Sequence, residues 1–82
     1  MNIIRREDGS YLLNGKTTIF EINQYFSKEM IEDKIGNYST VSGFMIDHLK
    51  TMPHAGDVVI YDNLKFEIMD MDGVRIDKVL MT

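Results

Sequence analysis

The stretch Leu64-Lys65-Phe66-Glu67-Ile68-Met69-Asp70-Met71-Asp72-Gly73-Val74-Arg75-Ile76-Asp77-Lys78-Val79-Leu80-Met81 decides the fold. Asp72-Gly73 lies between two alternating apolar runs, and an Asp-Gly pair in that setting is a strong short-range signal for a tight hairpin. Residues 64–71 and 74–81 are therefore expected to be its two strands. In the second strand the alternation slips, because Ile76 implies one face while Val79 and Met81 imply the other. An inserted residue flips the pleat, so a β-bulge is expected near Asp77-Lys78. Directly upstream, Asp57-Val58-Val59-Ile60-Tyr61 reads as a further strand joined through an Asp62-Asn63 turn. The last third of the chain is thus all strand.

Working back from it, Ser39 or Thr40 caps a helix whose buried face is Val41, Phe44, Met45, His48 or Leu49, and Met52. Gly43 inside that helix costs up to about 1 kcal/mol relative to Ala, which is tolerable where another backbone passes closely. Pro53 is expected to end it, since the residue before proline is driven out of the α region. Residues 28–38 carry no clear period and read as a loop, with room for one helical turn. An earlier helix begins near Thr17 or Thr18. Thr18 and Glu21 have capping-box spacing, and Ile19, Ile22 and Phe26 share its apolar face. Residues 2–7 and Ser10-Tyr11-Leu12-Leu13 form a first hairpin about Asp8-Gly9, with φ > 0 expected at both turn positions. Asn14-Gly15 is a second turn, opening onto the first helix. The order is β-β-α-α-β-β-β, an α+β fold with an antiparallel sheet and both helices packed on one face.

Length and composition set the outer bounds. The 82 residues make one domain, 1–82, with a thin core burying about 60–65% of the surface its unfolded chain exposes. The hydrophobic share of 44% and charged share of 27% are those of a globular chain. No cysteine is present, so there is no disulfide framework, thiolate metal site or thiol nucleophile. Thirteen acidic residues against nine basic ones give a net charge of −4, which opposes phosphate backbones and argues against nucleic-acid binding. No apolar run is long enough to span a bilayer, and residues 1–6 lack a signal-peptide h-region. Direct membrane insertion by this segment is not expected.

Five segments, taken in order, resemble one known family. They are Arg6-Glu7-Asp8-Gly9-Ser10-Tyr11-Leu12-Leu13-Asn14-Gly15, Ile19-Phe20-Glu21-Ile22-Asn23, Tyr38-Ser39-Thr40-Val41-Ser42-Gly43-Phe44, Leu49-Lys50-Thr51-Met52-Pro53-His54-Ala55-Gly56-Asp57 and Phe66-Glu67-Ile68-Met69-Asp70-Met71-Asp72-Gly73-Val74-Arg75-Ile76. The set resembles the transporter-associated domain of CorC and HlyC proteins, over about residues 4–81. The resemblance implies a non-catalytic regulatory domain excised from the C-terminus of a longer membrane protein. In that family it follows CBS and transmembrane domains in magnesium and cobalt efflux proteins or hemolysin-like proteins. It further implies a place at the cytoplasmic face of the membrane, and a soluble cytoplasmic domain in isolation. The implied fold is similar to the FAD-binding PCMH-type subdomain of vanillyl-alcohol-oxidase-type enzymes, an analogy of fold that makes FAD or an adenine nucleotide the alternative ligand reading. The sequence departs from the family in its more charged stretch from Phe26 to Gly36, and in Ser42-Gly43 where paired glycines are common.

For chemistry, no Gly-x-Ser-x-Gly elbow or Ser-His-Asp grouping is present, so no enzyme is expected. The nearest phosphate or cofactor candidate is Gly15-Lys16-Thr17-Thr18, a turn with a lysine and hydroxyls ahead of a helix; it lacks the upstream glycine of a P-loop, and a structural cap accounts for it. Asp47, His48, His54 and Asp57 could converge on a metal, yet no paired-histidine motif supports them. Among the carboxylates near the last hairpin, Asp70 and Asp72 are the candidates for a hard cation, against plain turn chemistry at Asp72. Asp8, Gly9, Asn14, Gly15, Gly43, Pro53, Gly56, Asp57, Asp72 and Gly73 are assigned to turns and close packing. No resident cofactor is expected. Tyr11, Tyr25, Tyr38 and Tyr61, with Met30, Met69 and Met71, suit core packing individually and a homodimer or docking surface collectively.

Overall fold

The computed structural model describes residues 2–32 and 37–82. Its elements are β1 (Ile3–Arg5), β2 (Tyr11–Asn14), α1 (Ile19–Phe26), α2 (Val41–Leu49), β3 (Val58–Tyr61), β4 (Leu64–Asp72) and β5 (Arg75–Met81). The expected order and α+β class are found. All pairings are antiparallel, and the five strands lie in the order β1-β2-β5-β4-β3. Both helices cover one face. Ile19 and Ile22 of α1, with Val41, Phe44 and Met45 of α2, form one buried cluster with Leu13, Phe66, Ile68, Val79 and Met81 of the sheet.

The expected bulge lies at Asp77. Asp70 pairs with Lys78 and Met71 with Ile76, so Asp77 has no partner on β4. That inserted residue lets Ile76, Val79 and Met81 all reach the core, at 6%, 0% and 2% exposure, though their spacing forbids it in a regular strand. A second bulge, not anticipated, sits across from it: Ile68 pairs with Val79 and Asp70 with Lys78, leaving Met69 unpaired on β4. The two insertions offset one another. Pairing resumes through Asp72 and Arg75 to close the hairpin.

Both helices start from hydroxyl caps set side by side. Thr18 accepts from Glu21 N at 3.0 Å while Glu21 Oε1 accepts from Thr18 N at 3.0 Å, completing the expected capping box. Thr40 caps α2 by accepting from Gly43 N at 3.2 Å. Thr18 and Thr40 themselves form an antiparallel bridge, flanked by Ile19 N donating to Ser39 O and Val41 N to Thr17 O. The helix starts are therefore fixed by each other as well as by their own side chains.

Several local expectations are corrected. At the first turn only Gly9 has positive φ (+88°), because Gly9 N donates to Arg6 O and Arg6 N to Ser10 O; the turn spans one residue more than an Asp-Gly two-residue loop. The last hairpin turns on Gly73 (φ +62°) and Val74, while Asp72 belongs to β4. Helix α2 ends at Leu49, where Lys50 turns left-handed (φ +58°) and donates to Ile46 O, so Pro53 is not what stops it. Met52 then falls outside the helical face and is 67% exposed. Of the 28–38 loop, residues 33–36 lie outside the described residues.

The second face of the sheet carries no helix. One rung runs across all five strands on it, Ile4–Leu12–Leu80–Glu67–Val58 in register, four of whose members are apolar.

Candidate functional site

The turn from β2 into α1, the first turns of α2 and the β4–β5 hairpin enclose a shallow cleft of about 180 Å³. Asn14, Lys16, Ser42, Ile46, Asp72, Arg75 and Asp77 are among its lining residues. The fold thus brings part of each sequence candidate to one place: Lys16 of the Gly15–Thr18 turn and Asp72 of the last hairpin line the cleft, whereas Asp70 does not.

Gly15 is the hinge of this arrangement. Its N–H donates to the bulge carbonyl of Asp77 at 2.8 Å and its C=O accepts from Ser42 N at 3.2 Å. A Cβ here would lie 2.0 Å from the carbonyl oxygen of Ile76. Glycine is required by close backbone approach and not by a left-handed φ. The rest of the turn is equally committed. Lys16 N donates to Asn14 Oδ1, Thr17 N to Asn14 O, and Thr18 N to Glu21 Oε1. Thr17 is fully buried, its hydroxyl donating to Asn2 O at 3.2 Å. A phosphate cradle needs such N–H groups aimed outward at an anion, and these four are all engaged within the chain.

Two of the hairpin carboxylates, Asp72 and Asp77, have cations beside them. Asp77 meets Lys78 Nζ at 3.0 Å, Asp72 lies 3.9 Å from Arg75, and Asp70 stands opposite Lys78 in the sheet. Elsewhere His48 places Nδ1 2.9 Å from Phe44 O and packs its ring tilted against Phe44 and Tyr38 and edge-on to Tyr61. His54 and Asp57 close their own turn, with His54 N donating to Asp57 Oδ2 at 2.8 Å. Among the described residues no group of three or more His, Asp or Glu is placed to hold a metal ion. Nor does a buried side-chain polar atom lack a hydrogen-bond partner among them, so no orphaned donor or acceptor is aimed into the cleft.

The remaining turn residues are where their types suit. Asp8 accepts from the Ser10 hydroxyl and from Ser10 N at 2.9 Å, and these bonds, the hydroxyl's first, hold the Asp8 carboxyl below the usual carboxylate range. Gly56 takes φ +94° and donates to Ile68 O, and Pro53 sits half-buried just before it. Gly43 gives room to Tyr38, whose Cβ would stand 3.1 Å from an added methyl.

Two features escaped the sequence. Asn23 anchors the loop after α1: its Oδ1 accepts from Met30 N (2.8 Å) and Ile31 N (3.1 Å), and its Nδ2 donates to Ile31 O (3.0 Å). Ile31 is thereby fully buried without any periodicity to announce it. Glu21, besides its cap, accepts from Asn2 Nδ2 at 3.0 Å; the Thr18 N–H first and Asn2 second depress its pKa.

Comparison with known proteins adds the context that geometry lacks. The family model of the transporter associated domain CorC_HlyC matches residues 4–82. A UPF0053 protein of Synechocystis is 48% identical over 80 residues, which is 96% of this chain and 18% of that protein. The polyamine export protein of Escherichia coli is 35% identical across 98% of the chain, again 18% of the relative. The chain thus spans about a fifth of the length of these relatives. Among solved structures, the CorC_HlyC domain of a Xylella fastidiosa hemolysin aligns with TM-score 0.83 at 33% identity, covering 100% of this chain and 94% of that one. The transporter associated domain of a Porphyromonas gingivalis CBS domain protein aligns with TM-score 0.86 at 28% identity, covering 99% and 95%.

Proposed function

The chain belongs to the CorC_HlyC family of transporter associated domains, and from that premise we propose that it is a non-catalytic accessory domain of a cation exporter, modulating transport through protein contacts. The observation that carries this reading is the family match over residues 4–82. What the fold adds is consistent with it: the backbone N–H groups of residues 15–18 beside the cleft are all engaged within the chain. No helix among the described residues is long and apolar enough to cross a membrane, and in this reading the transport path is formed by other parts of the parent protein. In this reading it sits at the cytoplasmic face beside the CBS and transmembrane parts of its parent protein, and its effect is a shift in domain arrangement. The cargo is a cation; the magnesium and cobalt implied by the resemblance stand beside the polyamine named for relatives 34–35% identical.

A small-ligand module for FAD or an adenine nucleotide is the second reading. It is favoured by one observation, that Lys16 and Arg75 both line the cleft. Size opposes it, since 180 Å³ is well below the roughly 300–1,000 Å³ of small-ligand pockets.

The test is a graft. Removing the corresponding domain from the Escherichia coli polyamine export protein should change its export rate without abolishing export, and this chain in its place should restore the rate. Export indifferent to both removal and replacement would overturn the proposal.

A further inference from the structure

The two edges of the sheet are built differently. β1 is three residues long, ends on Arg5 and runs directly into Arg6-Glu7, and short length and charge are the usual guards of an exposed edge. β3, at the other edge, is Val58-Val59-Ile60-Tyr61, with no charge, proline, glycine or bulge. Which of its backbone groups face outward follows from the hydrogen bonds of its neighbour. Lys65 and Thr82 exchange bonds of 2.9 Å, so the N–H and C=O of Lys65 face β5. Alternation then turns Leu64, Phe66 and Ile68 toward β3, opposite Tyr61, Val59 and Asp57, and Ile68 N indeed donates to Asp57 O at 2.9 Å. Val58 and Ile60 therefore direct their N–H and C=O away from the sheet. Their side chains are 40% and 67% exposed on its helix-free face.

We propose that β3 pairs with β3 of a second copy of this chain, antiparallel and centred on Val59, joining two sheets into one. This rests on the reading of the domain as a contact module and names one such contact. The self-pairing is selected by the edge's own residues. Centred on Val59, the register sets Val58 against Ile60 of the second copy, so every outward N–H meets an outward C=O. It sets Asp57 against Tyr61, so no like charges stand opposed. Shifting it one way places Val58 opposite Asp62, a turn residue at φ +55° that is not extended. Shifting it the other way calls on Gly56, whose N–H is already given to Ile68 O.

Ile60→Pro tests the pairing, because it deletes an outward donor and none of the β3–β4 bonds; proline is tolerated on an edge strand with its nitrogen outward. In sedimentation velocity the wild-type chain should move from 9.5 kDa toward twice that mass as concentration rises. Ile60→Pro, with wild-type far-UV circular dichroism, should raise the dimer dissociation constant by at least about tenfold. Hydrogen exchange on the wild type supplies a readout independent of any variant: the Val58 and Ile60 amides should slow with concentration while those of β1 do not. A chain monomeric at every concentration would give the edge to a strand from another part of a longer protein and overturn the self-pairing, leaving the accessory role to be decided by the graft. A dimer unaffected by Ile60→Pro, or exchange at Val58 and Ile60 independent of concentration, would overturn it too.

Discussion

Gly15→Ala is expected to be among the most damaging single-methyl additions this domain can receive. The new Cβ would sit 2.0 Å from the Ile76 carbonyl oxygen and 2.9 Å from its carbon, both backbone atoms of β5 with no rotamer to move aside. Relief requires the turn to lift off the bulge, which breaks Gly15 N to Asp77 O and Ser42 N to Gly15 O. Each of the two lost bonds costs about 1–3 kcal/mol, so the total is about 2–6 kcal/mol. A domain of this size has roughly 4–12 kcal/mol in all, and 1 kcal/mol moves its melting temperature by about 4–8 °C. Thermal unfolding followed by circular dichroism should therefore show a drop of at least about 10 °C. Gly9→Ala is the internal control. Gly9 has φ +88° but nothing within 4 Å of a new Cβ, so it bears only the left-handed backbone penalty of about 1–2 kcal/mol. If Gly15→Ala melted at or above the temperature of Gly9→Ala, the close approach of turn and bulge would not be what the glycine serves.

Three further outcomes follow from the same contacts. Thr18→Ala removes the acceptor for Glu21 N and should cost about 1 kcal/mol in urea unfolding, with the m-value unchanged. Asp8 and Glu21 have folded pKa values below their unfolded ones, so their contribution is present above the unfolded value of about 4 and lost as pH falls through the folded one; Glu21→Gln should flatten the acid limb of a stability–pH curve. Asn23→Ala frees the 28–32 loop and should cost about 2–3 kcal/mol, with hydrogen exchange at the Met30 and Ile31 amides speeding up well before that of β4.

What the sequence disclosed was what neighbouring residues decide among themselves. The three hairpins and both helix caps depend on residues within a few positions of one another; the caps are found where Thr spacing put them, and the hairpins at the expected sites, with the first turn one residue longer and the last one residue later than Asp-Gly alone suggests. The Asp77 bulge was readable because Ile76 and Val79 cannot share a face otherwise. The Met69 bulge leaves a similar sign, Ile68 followed three residues later by the half-buried Met71, but an apolar Met69 between them conceals the slip. Gly15 shows the limit. It was assigned to a turn and close packing, but the neighbour that dictates its identity, Ile76, reaches it only because β2 pairs with β5 across the sheet. Strand order is a long-range choice, invisible to local pattern. The end of α2 failed for a different reason: the rule for residues before proline gives a latest stop, and Lys50 stopped the helix earlier. The candidate site was legible as a set of residue types, and the meeting of Lys16 with Asp72 at one cleft came from the same long-range pairing.

The most direct measurement of whether this domain works through protein contacts and not through a bound small molecule is thermal unfolding with Mg²⁺, ATP and FAD in turn. A ligand of the native state at a hundredfold excess over its dissociation constant adds about 2.7 kcal/mol, or about 10–20 °C for a domain of this size. The melting temperature should stay unchanged with all three. A rise of that size with FAD or ATP would contradict the contact reading and make the Lys16–Arg75 cleft a ligand site.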